Sequence, residues 1–420
     1  MGHSGSIQGI VRQGLCISCG ACVSAAPEGA MRMVLDEHKG VFVPEVLDAA
    51  TVSGSGPECE VCPGKGAPIV RMEKELFGDA DHYRMELGWY RRLVACHSGS
   101  PQILEHASSG GVMTDIARFL IERGHVDGVT VSRFTYGGKG PRTESFVARD
   151  LDGLMAGQGS KYCPTTTNAL VRECAESGGR YLFLGTPCQV LALRLAQAQR
   201  PELRETFPLT MANFCGGYRD FRDLDDLLER NGLDPRKVAR FRFRGGGQPG
   251  SMLAADSRGN TVCVPYPTYG RGSLLPKAKR CVFCIDGTGL LADFACGDAW
   301  VDRFANKDGF PWSVVVLRSK AAADVFGQIV EDGRLTVESI TEDEVLYSQR
   351  HNLDSKITRQ RRRMALHRLF GTAMPAWDMP LPRNGGTWLG EIRTVLGKHK
   401  RALLYRFRYR LGLRRPAHHP

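Results

Sequence analysis

The sequence lacks several features that identify common classes of protein. A membrane-spanning helix requires about 18 consecutive apolar residues, and no apolar run in the sequence approaches that length. The first ten residues lack the basic start and apolar stretch of a secretory leader. No Gly-x-Gly-x-x-Gly motif joins a strand to a helix, and Walker, Gly-x-Ser-x-Gly and His-Glu-x-x-His motifs are absent. Ordinary dinucleotide-binding folds, NTPases and the commonest hydrolases therefore have no support, and we expect a cytoplasmic protein.

Composition and charge exclude further classes. Of the 420 residues, 42% are hydrophobic and 24% are charged, which is ordinary for a globular protein and excludes a disordered, collagen-like or coiled-coil chain. The length indicates two or three domains. The net charge of +11 is concentrated in residues 391–420, which hold nine basic residues and one acidic residue. Because the rest of the chain is nearly neutral, we expect no nucleic-acid partner.

The 14 cysteines are the most informative feature of the sequence. In a reducing compartment, clustered cysteines usually bind metal or take part in catalysis. Three groups stand out: Cys16-x-x-Cys19-x-x-Cys22, Cys59-x-x-Cys62-Pro63 and Cys281-x-x-Cys284. Cys188 and Cys215 each lie in a turn at the end of an expected strand.

The first group predicts an iron–sulfur site. Cysteines at i, i+3 and i+6 let a short loop wrap three thiolates around one 4Fe-4S cluster, as in bacterial ferredoxins. That pattern would continue with a cysteine and a proline, but here Ala26 precedes Pro27. The fourth ligand must come from elsewhere, and Cys62 is the natural donor, with Cys59 in reserve. Structural zinc and unrelated thiols are the alternatives.

Cys281 and Cys284 indicate a second metal site that needs two further ligands. Cys188 and Cys215 are the candidates, because turns at one edge of a parallel sheet can converge. We expect a second cluster, with zinc or no metal as alternatives. Cys188 is predicted to lie in the first turn of a helix, where the dipole favours a thiolate. This suits a covalent nucleophile as well as a metal ligand, and we favour the ligand.

The rest of the sequence repeats a strand, a turn of small residues and a helix. Repeats start near Leu93, Tyr181 and Leu209. They predict an α/β fold with a largely parallel sheet and ligands at the carboxyl ends of its strands. A short helical link is expected over 72–90. The sequence becomes more β-like after residue 238, and helical and Arg-rich from about 354.

Two loops carry a weak signal for a phosphorylated cofactor. Residues 108–111 precede a helix and would present N–H groups to a phosphate, although a simple helix cap is the alternative. Residues 159–162 supply a hydroxyl, a cation and an aromatic ring, which suits a phosphorylated aromatic cofactor. Neither signal is specific when taken alone.

The basic end of the chain has an amphipathic pattern. Over about 391–413, apolar residues recur among basic ones: Ile392, Val395, Leu396, Leu403, Leu404, Phe407 and Leu411. Such a helix can lie on an anionic membrane surface or pack on its own domain. Both alternatives stay open, and the first would place the protein at the inner face of the membrane.

Taken in order, these segments resemble the coenzyme F-420 hydrogenase/dehydrogenase beta-subunit family. The resemblance covers about residues 10–350 and is carried by eight modest motifs: 16–22, 62–63, 109–111 with 124–128, 159–162, 185–189, 214–216, 280–286 and 292–300. One departure is Cys296, because a small or hydroxyl residue is more usual there. Cys296 is therefore a reserve ligand for the second cluster.

The resemblance implies an FAD-containing iron–sulfur protein. Members of the family pass two-electron equivalents between a deazaflavin or another donor and one-electron iron–sulfur carriers. By this analogy the residues that hold the flavin are Ser109, Gly110, Gly111, Ser160, Lys161, Tyr162, Gly185 and Thr186. The predicted cluster ligands are Cys16, Cys19, Cys22, Cys62, Cys188, Cys215, Cys281 and Cys284.

We therefore predict an FAD- and 4Fe-4S-dependent oxidoreductase. Reduced coenzyme F-420 is the favoured donor, with ferredoxin or NAD(P)H as alternatives, and the acceptor is a partner protein or a small substrate. A ferredoxin-like iron–sulfur segment spans 1–72, the flavin-binding core spans 73–175 and 176–350, and a helical basic tail spans 351–420. Two other functions stay open: a non-catalytic electron-transfer subunit of a larger complex, and a zinc-stabilised binding protein.

Overall fold

The computed structural model describes residues 5–410, except 53, 248, 271, 272, 274 and 306. Leu411 and the basic residues after it belong to the predicted amphipathic tail and lie outside the described residues. Within the described part of the chain, no helix is long and apolar enough to cross a membrane.

The N-terminal segment consists of short elements around the first cysteine group. They are α1 Ile7–Arg12, α2 Ala21–Ala25, the antiparallel strands β1 Met31–Asp36 and β2 Val41–Val46, and α3 Pro57–Glu60. Gly20 precedes α2 with a φ of +86°, and a side chain there would collide with Ala169. The segment therefore packs closely on the following core.

A short connection leads from this segment to the core. It contains β3 Gly66–Ala67, α4 Ile69–Phe77, β4 His82–Arg84 and β5 Gly88–Tyr90. The helical link predicted over 72–90 is therefore wrong beyond Phe77. A hairpin occupies the remainder, and the ring centroids of Tyr83 and Trp89 lie 5.0 Å apart across it. Cross-strand aromatic pairs of this kind stabilise a hairpin.

The core is built on a large mixed sheet. Its strands in chain order are β6 Arg92–Ser98, β7 Gly128–Thr135, β8 Arg142–Ala148, β9 Tyr181–Gly185, β10 Leu209–Asn213, β11 Val238–Gly245, β12 Ser251–Asp256, β13 Thr261–Pro265, β14 Phe294–Asp298, β15 Ser313–Leu317 and β16 Leu335–Ser339. Eight described strands form one sheet in the order β16-β6-β15-β14-β10-β9-β7-β8, and β11–β13 form a separate antiparallel sheet. The pairings make five of the eight (β6, β7, β9, β10 and β14) run in one direction. The predicted α/β class with a mostly parallel sheet is confirmed.

Helices cover both faces of the large sheet. In chain order they are α5 Pro101–His106, α6 Val112–Glu122, α7 Leu151–Gly157, α8 Val171–Glu176, α9 Pro187–Gln199, α10 Leu203–Thr206, α11 Phe221–Arg230, α12 Lys279–Val282, α13 Lys320–Glu331 and α14 Glu342–Ser348. Leu182 of β9 belongs to the core beneath α6 and α13, and Phe183 belongs to the core beneath α9. Because both faces are covered, the central strands are largely apolar.

The C-terminal region is helical, as predicted. It contains α15 Arg350–Leu353, a π-helical turn at Asp354–Thr358, α16 Gln360–Leu369, β17 Ala376–Trp377 and α17 Trp388–Arg410. β17 pairs in parallel with β3 of the connection after the N-terminal segment. The division of the chain at residues 72, 175 and 350 stays a prediction.

The last helix, α17, packs against its own chain at its start and exposes apolar side chains farther along. Glu391 is buried, and its carboxylate oxygens lie 2.6 Å from Arg359 Nε and 3.1 Å from Arg363 Nε. Farther along α17, the exposed apolar side chains include Leu396, Leu403, Leu404 and Phe407. The start of α17 thus packs on its own chain, and the membrane alternative concerns only the remainder of the helix.

Candidate functional site

The first four predicted ligands meet in one cavity. Cys16, Cys19, Cys22 and Cys62 all line a cavity whose walls come from α1, α2 and the β1–β2 hairpin. Burial raises the pKa of Cys19 well above its ordinary value, and the neighbouring thiols of Cys22, Cys62 and Cys16 raise it further. Burial and the Cys16 thiol raise the pKa of Cys62 to about 11. These mutual effects require four thiols in close proximity.

The backbone around these thiols is held in unusual conformations. Ser18 has a φ of +63°, which a non-glycine residue rarely adopts. Its hydroxyl donates to Phe42 O at 2.7 Å, and its N–H donates to Cys16 Sγ at 3.4 Å. Gly64 follows Cys62-Pro63, and a Cβ there would lie 2.8 Å from Ile10 and 3.3 Å from Cys62 Sγ. Only glycine leaves room for the Cys62 thiol at that wall of the cavity.

Cys59 lies outside this cavity. Its thiol donates to Gly54 O at 3.5 Å and lies 3.7 Å from Glu58 Oε1. The side chain is 1% exposed and packs among apolar residues. The structure therefore brings Cys62, and not the reserve Cys59, to the other three thiols.

The second four predicted ligands also converge, although they come from three parts of the chain. Cys188 lies in the first turn of α9, after the N-cap Thr186, and Cys215 follows β10. Cys281 lies in α12, and Cys284 follows it. Burial raises the pKa of Cys188 to about 12, and the thiols of Cys215, Cys281 and Cys284 contribute to the rise. The N–H of Gly217 donates to Cys215 Sγ at 3.3 Å.

Two cations lie beside the second set: Arg280, which belongs to the 280–286 motif, and Lys356, which no motif revealed. Burial alone would raise the pKa of Cys284, but Lys356 and Arg280 together bring it below its ordinary value. Lys356 is 4% exposed and its Nζ donates to Asp286 O at 2.9 Å. Lys356 comes from the π-helical turn, far along the chain, so no local spacing could have predicted it.

The two cysteine sets are neighbours. Burial raises the pKa of Tyr218, and thiols of both sets, Cys281 and Cys188 on one side and Cys16 on the other, add to the rise. Arg280 is 1% exposed, and its Nε donates to Pro63 O at 3.0 Å, directly after Cys62. It also acts on the pKa of both Cys62 and Cys188. Tyr218 and Arg280 therefore form a wall that both sets share.

The loops predicted to hold a flavin lie at the carboxyl edge of the sheet. The hydroxyl of Ser109 bonds Ser313 Oγ at 2.9 Å, and the N–H of Gly110 donates to the same oxygen at 2.9 Å. The N–H of Ser160 donates to Ser108 Oγ at 3.1 Å. The structure thus brings the 108–111 and 159–162 loops together.

Glycine is required in the 109–111 loop. A Cβ on Gly110 would lie 2.7 Å from Cys96 O, and one on Gly111 would lie 2.7 Å from Ile103. Gly111 also has a φ of +72° where it precedes α6. The loop is thereby pressed against β6 and β15, and its backbone can approach a ligand closely.

Gly185 and Thr186 stand farther along the same edge, beside the second cysteine set. Gln189 Oε1 accepts from the N–H of Thr186 at 2.8 Å, and Gln189 Nε2 donates to Thr165 Oγ1 at 2.9 Å. Thr186 Oγ1 lies 3.2 Å from Cys188 Sγ. This turn therefore connects the segment after Tyr162 with the second set.

Lys161 is turned toward its own loop. Its Nζ donates to the carbonyl oxygens of Gly157, Gln158 (3.0 Å) and Gly159 (2.9 Å). Burial lowers the pKa of Lys161 to about 7. In this conformation the side chain orders residues 157–159, and its role as a cation for a phosphate stays a prediction.

Cys296 does not lie with the second set. It is 4% exposed in β14, opposite Val315 of β15, and belongs to the core that also contains Cys96. Burial raises the pKa of Cys296 to about 12. The structure therefore does not support this reserve ligand by proximity.

Cysteine thiols can hold either a single metal ion or an iron–sulfur cluster. Among the described residues, no three His, Cys, Asp or Glu side chains are grouped to hold one metal ion. A tetrahedral zinc site would draw four sulfurs to about 2.3 Å from one centre, whereas a cubane spreads four thiolates over four irons. Eight thiols in two convergent sets, with N–H donors directed at sulfur, fit the second arrangement.

Comparisons with known proteins show which family this chain resembles. Profiles of the coenzyme F-420 hydrogenase/dehydrogenase beta subunit match residues 93–172 (N-terminal part) and 178–343 (C-terminal part). The coenzyme F-420 hydrogenase subunit beta of Methanosarcina barkeri is 24% identical over 262 residues, covering 61% of this chain and 84% of that protein. The coenzyme F-420-dependent sulfite reductase of Methanocaldococcus jannaschii is 25% identical over 253 residues, covering 56% of this chain but only 36% of that longer protein.

A solved structure shows the same fold. A chain of the F-420-reducing nickel–iron hydrogenase complex from Methanosarcina barkeri superposes with a TM-score of 0.56 at 22% identity. The match covers 71% of this chain and 99% of that chain. The two profile matches lie in consecutive order and together take in more than half of the chain. The chain belongs to the coenzyme F-420 hydrogenase/dehydrogenase beta-subunit family.

Proposed function

We propose that this protein is a flavin- and iron–sulfur-dependent oxidoreductase that exchanges a hydride with coenzyme F-420 and passes electrons on through two 4Fe-4S clusters. The observation that carries the proposal is the convergence of eight cysteines in two adjacent sets of four, the second beside the carboxyl edge of the sheet. The names of the relatives support coenzyme F-420 as the hydride carrier.

The chain's own residues would hold each group. The first cluster would be bound by Cys16, Cys19, Cys22 and Cys62, and the second by Cys188, Cys215, Cys281 and Cys284. The loops 109–111 and 160–162, with Gly185 and Thr186, would hold FAD. A bound flavin supplies a carrier that takes up a hydride and releases electrons singly. Thr186 Oγ1 lies 3.2 Å from Cys188 Sγ, which supports a flavin site next to the second set.

Anaerobic purification tests the cofactor content. We expect a brown protein with about eight iron atoms and eight acid-labile sulfides per chain, together with about one extractable FAD. Bleaching of the flavin absorbance by reduced coenzyme F-420 would support the hydride step. A colourless, iron-free protein with stoichiometric zinc would contradict the proposal and favour the zinc-stabilised binding protein.

A non-catalytic electron-transfer subunit is the second candidate. It is favoured by the hydrogenase relatives, which are named as subunits, and by the wall that the two cysteine sets share. We would test turnover of reduced coenzyme F-420 with one-electron dyes and with NAD(P). A chain with a reducible flavin that turns over none of these couples would support the subunit role.

We further propose that the protein works in the cytoplasm and that α17 touches the anionic inner face of the membrane. The helix exposes Leu403, Leu404 and Phe407 in a segment rich in basic residues, so charge and apolar area act together. A chain that ends at Gly397 keeps the buried Glu391 pairs and loses these residues. Sedimentation with phosphatidylserine vesicles should require residues 398–420, and phosphatidylcholine vesicles are the control. Equal sedimentation of both chains would contradict membrane contact.

A further inference from the structure

A buried arginine close to the proposed flavin loops has incomplete hydrogen bonds. Arg244 lies at the end of β11 and is 3% exposed. Its Nη1 donates to both carboxylate oxygens of Asp298, at 3.0 and 2.8 Å, and its Nε donates to Pro249 O at 3.0 Å. Among the described residues, Nη2 has no partner that meets the distance and angle of a hydrogen bond. The Tyr162 hydroxyl is nevertheless close, because burial would lower the pKa of Arg244 while Asp298 and Tyr162 raise it. Leaving a buried charged donor unsatisfied is costly, and such a group is a candidate for binding a ligand.

Aromatic rings flank the same guanidinium group. Its carbon lies 5.1 Å from the ring centroid of Tyr266 and 5.4 Å from that of Trp300, and these two rings are nearly parallel, at 6°. Tyr269 packs 5.9 Å from Tyr266, and its buried hydroxyl also lacks a partner among the described residues. Two unpaired polar groups and flat apolar surfaces therefore occur together.

This group is continuous with the proposed flavin loops. Asp298, which fixes Arg244, stands opposite Ser313 in the β14–β15 ladder. Ser313 in turn binds the 109–111 loop. Tyr162 packs 5.1 Å from Phe243, the residue before Arg244. A chain of contacts thus runs from each flavin loop to the guanidinium.

We propose that Arg244 and Tyr269 bind the pyrimidinedione edge of a flavin-type ring, with Tyr266 and Trp300 providing flat contact surface. This edge offers two carbonyl oxygens as acceptors, and it takes up negative charge when the ring is reduced. A guanidinium N–H is the strongest neutral-pH donor for such an oxygen and stabilises the reduced ring. The isoalloxazine of FAD and the deazaflavin of coenzyme F-420 share this edge. The inference rests on the proposed function.

Two variants test the assignment without removing the ion pair. Arg244→Lys keeps a cation for Asp298 but lacks a second N–H donor group in place of Nη2. Tyr269→Phe removes only a hydroxyl. The matched control is Arg240→Met, an exposed arginine on the same strand. Thermal unfolding would check that each variant folds. If Arg244→Lys does not fold, the binding measurements on Tyr269→Phe test the proposal.

The measurements are the dissociation constant of FAD from the deflavinated chain and that of oxidised coenzyme F-420 from the flavin-loaded chain, both by fluorescence. We expect one of the two to weaken by at least about tenfold in Arg244→Lys and by about threefold in Tyr269→Phe. Loss of FAD affinity identifies the isoalloxazine as the ring, and loss of coenzyme F-420 affinity identifies the deazaflavin. The control variant should bind both rings normally.

The failures are distinguishable. If the wild-type chain binds both rings and both variants bind them as tightly, Arg244 serves only to pair with Asp298 and this inference is overturned, while the proposed function stands. If the wild-type chain binds neither ring, the proposed function fails and this inference fails with it.

Discussion

The two cysteine sets offer the same ligands but are assembled in different ways. The first takes three thiols from the loop of residues 16–22 and the fourth from Cys62, all within the N-terminal segment. In the second set, Cys188 and Cys215 lie just after strands β9 and β10 of the large sheet, and the other two thiols come from the distant 281–284 turn. The first is therefore a local motif attached to the core, and the second is part of the core.

Their electrostatic surroundings also differ. In the first set, burial and neighbouring thiols raise the pKa of Cys19, Cys22 and Cys62. In the second, the buried ammonium of Lys356 lies against the thiols, and the pKa of Cys284 is lowered. Since nearby positive charge favours the reduced state of a cluster, we expect the second cluster to have the higher reduction potential.

Removal of one thiol from each set should have the largest effect. Cys16→Ser and Cys281→Ser are each expected to lose about half of the iron, because on the proposed function each set would hold one of two clusters. The double variant should lose nearly all of it. Iron and sulfide assays on anaerobically purified protein measure this. Cys59→Ser and Cys296→Ser are the controls, and loss of iron from either would show that a reserve thiol is a ligand.

Lys356→Met should change the reduction potential at the second set and leave that at the first set nearly unchanged. We expect the reduction potential of the second cluster to fall by on the order of 50–100 mV, because a buried charge next to the thiols is removed. Lys65→Met is the counterpart at the first set, and its exposed charge should matter much less. Redox titration followed by electron paramagnetic resonance measures both potentials. Equal shifts in the two variants would contradict the comparison.

The buried Glu73 of α4 should make the stability of the folded chain depend on pH. Burial raises the pKa of Glu73 from 4.5 to about 8, although Arg318 opposes the rise and Asp286 and Asp378 add to it. Between about pH 4.5 and 8 the folded chain binds the extra proton, so the free energy of unfolding should fall as pH rises through this range. The loss should be a few kcal/mol at most.

Glu73→Gln should remove this dependence because an amide cannot ionise. Urea unfolding of the anaerobic protein at pH 6 and pH 8 measures the difference, and Glu75→Gln, on the exposed side of the same helix, is the control. A pH dependence that persists in Glu73→Gln would show that other groups cause it.

Arg172→Met should have the smallest effect and should act on the first set. The guanidinium donates to the carbonyl oxygens of Val23 (3.1 Å), Ser24 and Ala26, and so joins the N-terminal segment to the core. Loss of these bonds should cost about 1–3 kcal/mol. We expect iron of the first set to be released at a lower urea concentration, with the second set unchanged. Arg200→Met, whose partner Glu202 is exposed, is the control.

The sequence predicted the local parts of this protein well. The repeats at Leu93, Tyr181 and Leu209 became β6, β9 and β10, since apolar strands and following helices are encoded in short stretches. The helical link predicted over 72–90 was wrong beyond Phe77, because an aromatic pair across a hairpin leaves no periodic pattern in the sequence. The convergence of Cys188 and Cys215 with the 281–284 turn was predicted only from sheet topology.

The sequence by itself determined the local grouping of the cysteines, because their spacing within 16–22 and 281–284 is a property of consecutive residues. It also determined the α/β class, because that class follows from apolar periodicity. Only the tertiary structure decided that Cys62 lines one cavity with the other three thiols while Cys59 lies outside it, that the two sets share Tyr218 and Arg280, and that Lys356 lies against the second set. These contacts join residues far apart in the chain, and a buried charge acquires its role from the groups that folding places around it.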